Sequence, residues 1–250
     1  MTLDNLLNYR RAVRRYSKTN LIDTEKVKKC IELAQLAPTS SNLQLWEAYH
    51  ITDPKVLKEI GHACLDQWSA TTAQEIVIFV TRQDLYKKRA KQVFDNNIAD
   101  IKKNAPKEKI ESRIEKVNQY YNKLVPFLYS KFFWIRGLLR VVFSRIMGIF
   151  RPTVRDVSES DMNTVVHKSC ALVAQTFMLA MAEEKYDTCP LEGFDAWKIK
   201  KTIESSQMSK GFYSYNMWNP RRMRYTCSSF PYSTRGTIQK NLKPDFIYFL

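Results

Sequence analysis

The chain has 250 residues, with 40 Lys+Arg against 25 Asp+Glu (net charge +15); 44% of residues are hydrophobic and 12% aromatic. Such a chain buries a substantial core and is not of the disordered class. Its six glycines (Gly61, Gly137, Gly148, Gly193, Gly211 and Gly236) never fall close enough for a GxG, which excludes a dinucleotide fingerprint and a Walker A loop.

Residues 3–9 read as a short helix feeding a basic run, Arg10–Tyr16. Asp23 or Thr24 caps a helix over roughly 25–36, in which Val27, Ile31 and Ala34 share a face. Pro38 and the polar stretch Thr39–Asn42 break it, and Trp46–Thr52 alternates as a strand. Short helices follow near 54–62 and 67–74, and then Glu75–Thr81, apolar enough for a buried strand. Residues 84–121 are charged and helical in pattern, interrupted at Pro106. Phe127–Phe150 is apolar yet carries Lys131, Arg136, Arg140 and Arg145, which argues against a transmembrane helix. Ser158 or Ser160 caps a helix over about 161–184, where Val166, Ala174, Phe177 and Met178 bury. Tyr186–Phe194 is a turn, 195–203 a short helix, and after about residue 209 all periodicity ends.

Five scattered cysteines without a CxxC make neither a disulfide framework nor a zinc site, and the N-terminus runs from acidic to basic, the reverse of a signal peptide. Both point to the reducing cytoplasm. The three histidines do not cluster, which argues against a histidine metal site.

Three segments carry chemistry. Closely spaced guanidiniums in Arg10-Arg11-Ala12-Val13-Arg14-Arg15-Tyr16, beside a helix end, suit a phosphate; the plainer reading is a solvated basic turn. The helix-to-strand loop Leu36–Trp46 (LAPTSSNLQLW) gathers hydroxyls and amides able to hold a polar heterocycle or sugar, or to serve only as loop chemistry. The turn Tyr186–Phe194 (YDTCPLEGF) is able to aim successive backbone N–H groups at a ring atom that gains charge, or simply to join two helices.

In this order the three resemble the nitroreductase family of FMN-dependent oxidoreductases, which typically reads RRSxRxF, then LAPSxxNxQPW, then a long helix ending in xCPxEGFD. Here RRAVRRY, LAPTSSNLQLW and TCPLEGFD match over residues 8–60 and 160–205. The resemblance implies an α+β fold, a central, mostly antiparallel sheet flanked by helices, in an intertwined homodimer with FMN between the subunits. It implies that Arg10, Arg11 and Arg14 hold the flavin phosphate and pyrimidine edge. Ala12 stands where the family usually has Ser, so the hydroxyl that Ser would offer the cofactor is missing. Pro38, Thr39, Ser40 and Asn42 would touch the flavin from the partner subunit, with Gln44 nearby and Leu45 where the family has Pro. Pro190, Leu191, Glu192 and Gly193 would lie against the isoalloxazine, a backbone N–H near N5. The implied activity is hydride transfer from NADH or NADPH through the flavin to an electron-poor small molecule such as a nitro compound or quinone.

Residues 1–210 thus read as the nitroreductase-like domain, with a helical insertion at about 100–155. That insertion reads first as a cover over the active site. Contact with an anionic membrane through Phe127–Phe150 comes second, because its charges do not gather on one helical face. Nucleic acid is disfavoured, since no aromatic-stacking module accompanies the charge.

Residues 211–250 form an atypical tail without the buried strand and Gly-x-Arg segment that family members carry. Met217 and Trp218 have single codons, so one nucleotide later the gene there must encode Cys then Gly, and degeneracy allows CGIRE, RAPRFRI and LEELYKKI in succession. A frame change between about Ser209 and Phe212 is the reading we take from this, a divergent tail being the alternative. An out-of-frame product would be a catalytically impaired chain that binds flavin poorly. The tail carries six Lys+Arg and one Asp, so +5 of the net +15 would be accidental.

Overall fold

The computed structural model describes residues 2–131 and 135–209. The 211–250 tail, with the frame question it raises, lies outside them.

Helix α1 (Leu3–Tyr9) is capped by Thr2, and α2 (Thr24–Ala34) by Asp23, whose carboxylate accepts the Glu25 N–H. Strands β1 (Trp46–Ile51) and β2 (Ile76–Thr81) pair antiparallel, Trp46 opposite Thr81 and Ile51 opposite Ile76. Between them lie α3 (Pro54–Ala63) and one turn of helix, α4 (Trp68–Thr71). Helix α5 (Tyr86–Asn104) stops because Pro106 forces Ala105 into extended backbone, φ −87° and ψ 146°. Helix α6 (Ile110–Asn118), a π-helical turn (Gln119–Leu124), α7 (Val125–Tyr129) and α8 (Ile135–Phe150) follow. A capping box of Ser158 and Asp161 opens α9 (Glu159–Glu183), and α10 (Ala196–Ser209) completes the described fold.

Side chains alternate across the strands, and the two faces bury against different helices. Phe79 and Trp46 face α9 and α2, where Val173, Phe177, Met178, Val27 and Cys30 close the main core. Ile78, Val80 and Ile51 face Ile60 and Ala63 of α3 and Ile199 and Ile203 of α10. A third cluster joins Leu43 and Leu45 to Val125, Tyr129, Met162 and Val166. The α+β class and the antiparallel sheet are as the sequence implies.

Helix α8 corrects one expectation. Its apolar side chains do gather on one face, and that face is exposed: Ile135, Leu138, Leu139, Val142, Phe143, Ile146, Ile149 and Phe150 all point away from the protein. The buried side holds Gly137, Arg140 and Ser144. Arg140, 1% exposed, donates to Val157 O (2.8 Å), Ser130 O (2.8 Å) and Phe127 O (3.0 Å). Burial lowers its pKa, but the three carbonyls give the guanidinium the partners a buried cation needs.

Candidate functional site

The first and third segments meet. The Tyr9 hydroxyl donates to Lys185 O at 2.7 Å, Ala12 and Thr188 form a parallel β-bridge, and the Val13 N–H donates to Thr188 O at 3.2 Å. Further along, the Arg15 guanidinium stacks 3.4 Å over the Trp68 ring and the Tyr16 N–H donates to Thr72 Oγ1. Burial, then negative potential from Cys189 and Asp187, raises the Tyr16 pKa, so its hydroxyl stays protonated. Arg11 is committed to its own helix end, donating to Leu7 O (2.8 Å) and Arg10 O (2.9 Å). Among the described residues no carboxylate pairs with Arg10 or Arg14, so two guanidiniums beside the bridge are available to an anion.

The turn is held at both ends. Helix α9 finishes with Lys185 in the left-handed region (φ 62°) and the Tyr186 N–H donating back to Met181 O. At the far end Gln67 Nε2 donates to Gly193 O (2.7 Å) and Cys64 O (3.0 Å), and the Asp195 N–H to Ala63 O (2.7 Å). Pro190 and Leu191 are half-buried; Glu192 and Gly193 are exposed.

The second segment is built from strained backbone. Ser41, Asn42 and Gln44 all have positive φ (54°, 51° and 46°), a cost of roughly 1 kcal/mol or more each that surrounding bonds must offset. Thr39 Oγ1 accepts from the Gln44 N–H and Thr39 O from the Asn42 N–H. The Ser40 N–H donates to Ser169 Oγ on α9, and Tyr129 OH donates to Ser40 Oγ. Ser41 is held by Tyr120, hydroxyl to hydroxyl at 2.7 Å, and by Tyr121, whose hydroxyl donates to Ser41 O. Sequence reading missed these three tyrosines. The signal was a Tyr-Tyr pair that falls in the π-helical turn, a feature that often marks functional positions.

This loop does not meet the other two segments within one subunit. It is tied to α9 at Ser169, whereas they dock beyond Glu183, and the helix between those residues is about 21 Å long. Pro38 and Asn42 are exposed, and Thr39 and Gln44 half-buried, on that remote side.

Two helical layers on an antiparallel sheet, with an arginine segment bridged to the turn after the long helix, define an α+β protein with an anion site at that bridge. Residues 7–212 match the Nitroreductase family, and the chain belongs to it. It is 25% identical over 199 residues to Bacillus subtilis MhqN, which carries the name of an NAD(P)H nitroreductase, covering 80% of this chain and 79% of that one. Protein DrgA of a Synechocystis strain is 23% identical over 196 residues, covering 78% and 73%. A nitroreductase-named protein of Exiguobacterium sibiricum, solved in complex with FMN, superposes with a TM-score of 0.55 at 19% identity, over 82% of this chain and 80% of that one.

Proposed function

We propose that this chain is an NAD(P)H-dependent FMN oxidoreductase, in which the flavin, when bound, relays hydride from NADH or NADPH to an electron-poor acceptor such as a nitro compound or quinone. The observation that carries this reading is the Ala12–Thr188 bridge, which sets two unpaired guanidiniums against the Pro190–Gly193 turn. The donor set fits the cofactor. Arg10 and Arg14 supply charge-assisted bonds for a phosphate, and Arg14 supplies positive potential for a ring that becomes anionic on reduction. Arg11 shapes the segment by capping α1, and Ala12 contributes backbone only.

The roughly 21 Å between the bridge and the Thr39–Asn42 loop favours a homodimer in which a second copy brings its own Pro38, Thr39, Ser40 and Asn42 to the flavin. Unbridged Cys30, Cys64, Cys170 and Cys189 agree with a reducing cytoplasm. The test is the absorption spectrum of the purified chain after FMN is added and excess removed by gel filtration. Near-stoichiometric flavin that NADH or NADPH bleaches is expected, with Arg14→Ala weakening retention about 10- to 100-fold. A chain that retains no flavin, whether its tail is the written one or its translation one nucleotide later, would overturn the proposal.

A second reading, compatible with the first, concerns α8. Residues 116–155 hold eight Lys+Arg and no Asp or Glu, and all but Arg140 of the described cations lie outside the core. An exposed apolar helix face amid cations of one sign suits an anionic membrane surface, where a quinone acceptor would also reside. Vesicles containing phosphatidylglycerol should pellet the protein and phosphatidylcholine vesicles should not; Leu139→Glu with Phe143→Glu should abolish pelleting. Pelleting that ignores those substitutions would sink this reading, as would α8 proving to be buried between two copies in solution.

A further inference from the structure

The sheet stops one strand short of its cover. Among the described residues β2 pairs with β1 alone. Along its other edge runs a cavity of about 410 Å³, bounded by Glu75–Phe79 of β2, by Ala171, Ala174 and Phe177 of α9, and by Ile199 of α10. No residue of β1 lines it. Two hydroxyls on its wall, Ser69 Oγ and Thr188 Oγ1, are buried without a hydrogen-bond partner, and Ser69 is only 4% exposed. An unpaired inner edge, an apolar slot beside it and orphaned polar atoms together describe a seat for extended backbone. The chain leaves α10 at Ser209, ten residues beyond the cavity-lining Ile199, with 41 residues still to come.

We propose that this cavity is the seat of a third strand that the gene encodes one nucleotide out of the written frame, across the codons of Phe212–Trp218. The genetic code constrains that reading tightly. Phe212 shifts to Phe or Ser, and Tyr213 to Ile or Thr. Ser214 has several options, Tyr215 and Asn216 each become Ile or Thr, and Met217 and Trp218 become Cys and Gly. Whatever the third bases are, three of the seven positions are β-branched and the string ends in glycine. That composition favours a strand ended by a turn, and its length matches the six residues of β2. The written frame places Tyr, Tyr, Asn and Trp at the corresponding codons instead. The family match ends at residue 212, where the written frame and the shifted one part.

The strand needs no flavin, so its test is independent of the activity proposed above. Two full-length chains are compared by thermal unfolding: the written one, and one whose residues after Ser209 are replaced by the shifted translation. The shifted tail should raise Tm by about 5 °C or more. Ala174→Leu then reads whether the cavity itself is filled. In the written chain the added methyl groups enter open space and Tm holds or rises. In the shifted chain they compete with the strand and Tm falls. Equal Tm values for the two tails, or the same response to Ala174→Leu in both, would overturn the proposal.

Discussion

Helices α8 and α9 are both apolar, and the protein uses them in opposite ways. Among the described residues α9 is the one helix long and apolar enough to cross a membrane, yet it is the central core element: Val173 is fully buried and Phe177 packs edge-on against Phe79 at 5.4 Å. Helix α8 turns its arginine inward and its leucines outward, with Leu139 59% and Ile149 77% exposed. Mean hydropathy does not distinguish the two. What does is the supply of partners: α9 lies between a sheet and α2, which offer apolar surface, whereas α8 lies over the carbonyls of 127, 130 and 157, which offer only acceptors.

The largest effects should come from removing the group that anchors each helix. Arg140→Met leaves three buried carbonyls without a donor, and Phe177→Ala opens the main core; each should cost about 3–5 kcal/mol and lower Tm by roughly 10 °C. If Arg140→Met left Tm unchanged, the inward-facing polar side of α8 would not be what holds it.

A smaller effect should appear in alkali and only on the α9 side. Burial pushes the Cys170 thiol up to about 12, and Cys30 and Cys64 up to about 11, from an ordinary 9.0. The unfolded chain therefore loses these protons first. Stability contributed by the neutral thiols is intact below pH 9 and falls as pH rises from 9 toward 12. Urea midpoints taken across that range should decline, and Cys170→Ala should flatten the decline; an unaltered slope would remove Cys170 from the account.

The smallest effect on the fold should follow substitution of α8's outer face. Leu139→Glu and Phe143→Glu should change stability by less than about 0.5 kcal/mol while abolishing vesicle binding, because those side chains touch little of their own subunit. A large loss of stability would mean that a second copy covers the face.

Much of the fold was legible in residue order. The helix starts at Asp23, Asp53 and Ser158, the break at Pro106 and both strands follow from capping, proline sterics and alternation, all of which act within a few residues. Of the candidate site, the three segments were legible as motifs but their mutual placement was not. Ala12 and Thr188 are 176 positions apart and are joined by backbone hydrogen bonds that any residue makes, so side-chain identity carries no trace of the bridge. The Tyr120, Tyr121 and Tyr129 hydroxyls around Ser40 and Ser41 were hidden for the same reason, since they reach across about 80 to 90 positions from a turn of irregular period.

The sequence by itself determined the elements, the family and the chemical character of each segment, because local sterics and short-range hydrogen bonding settle those. It also determined that a shifted reading across Phe212–Trp218 is rich in β-branched residues, since the genetic code leaves those positions little choice. The tertiary structure alone decided which side of α8 faces outward, that the arginine segment lies against the turn after α9, and that β2 has an open edge beside a cavity. Those outcomes depend on which surfaces remain to be covered once the other elements have packed, and residue order does not state that.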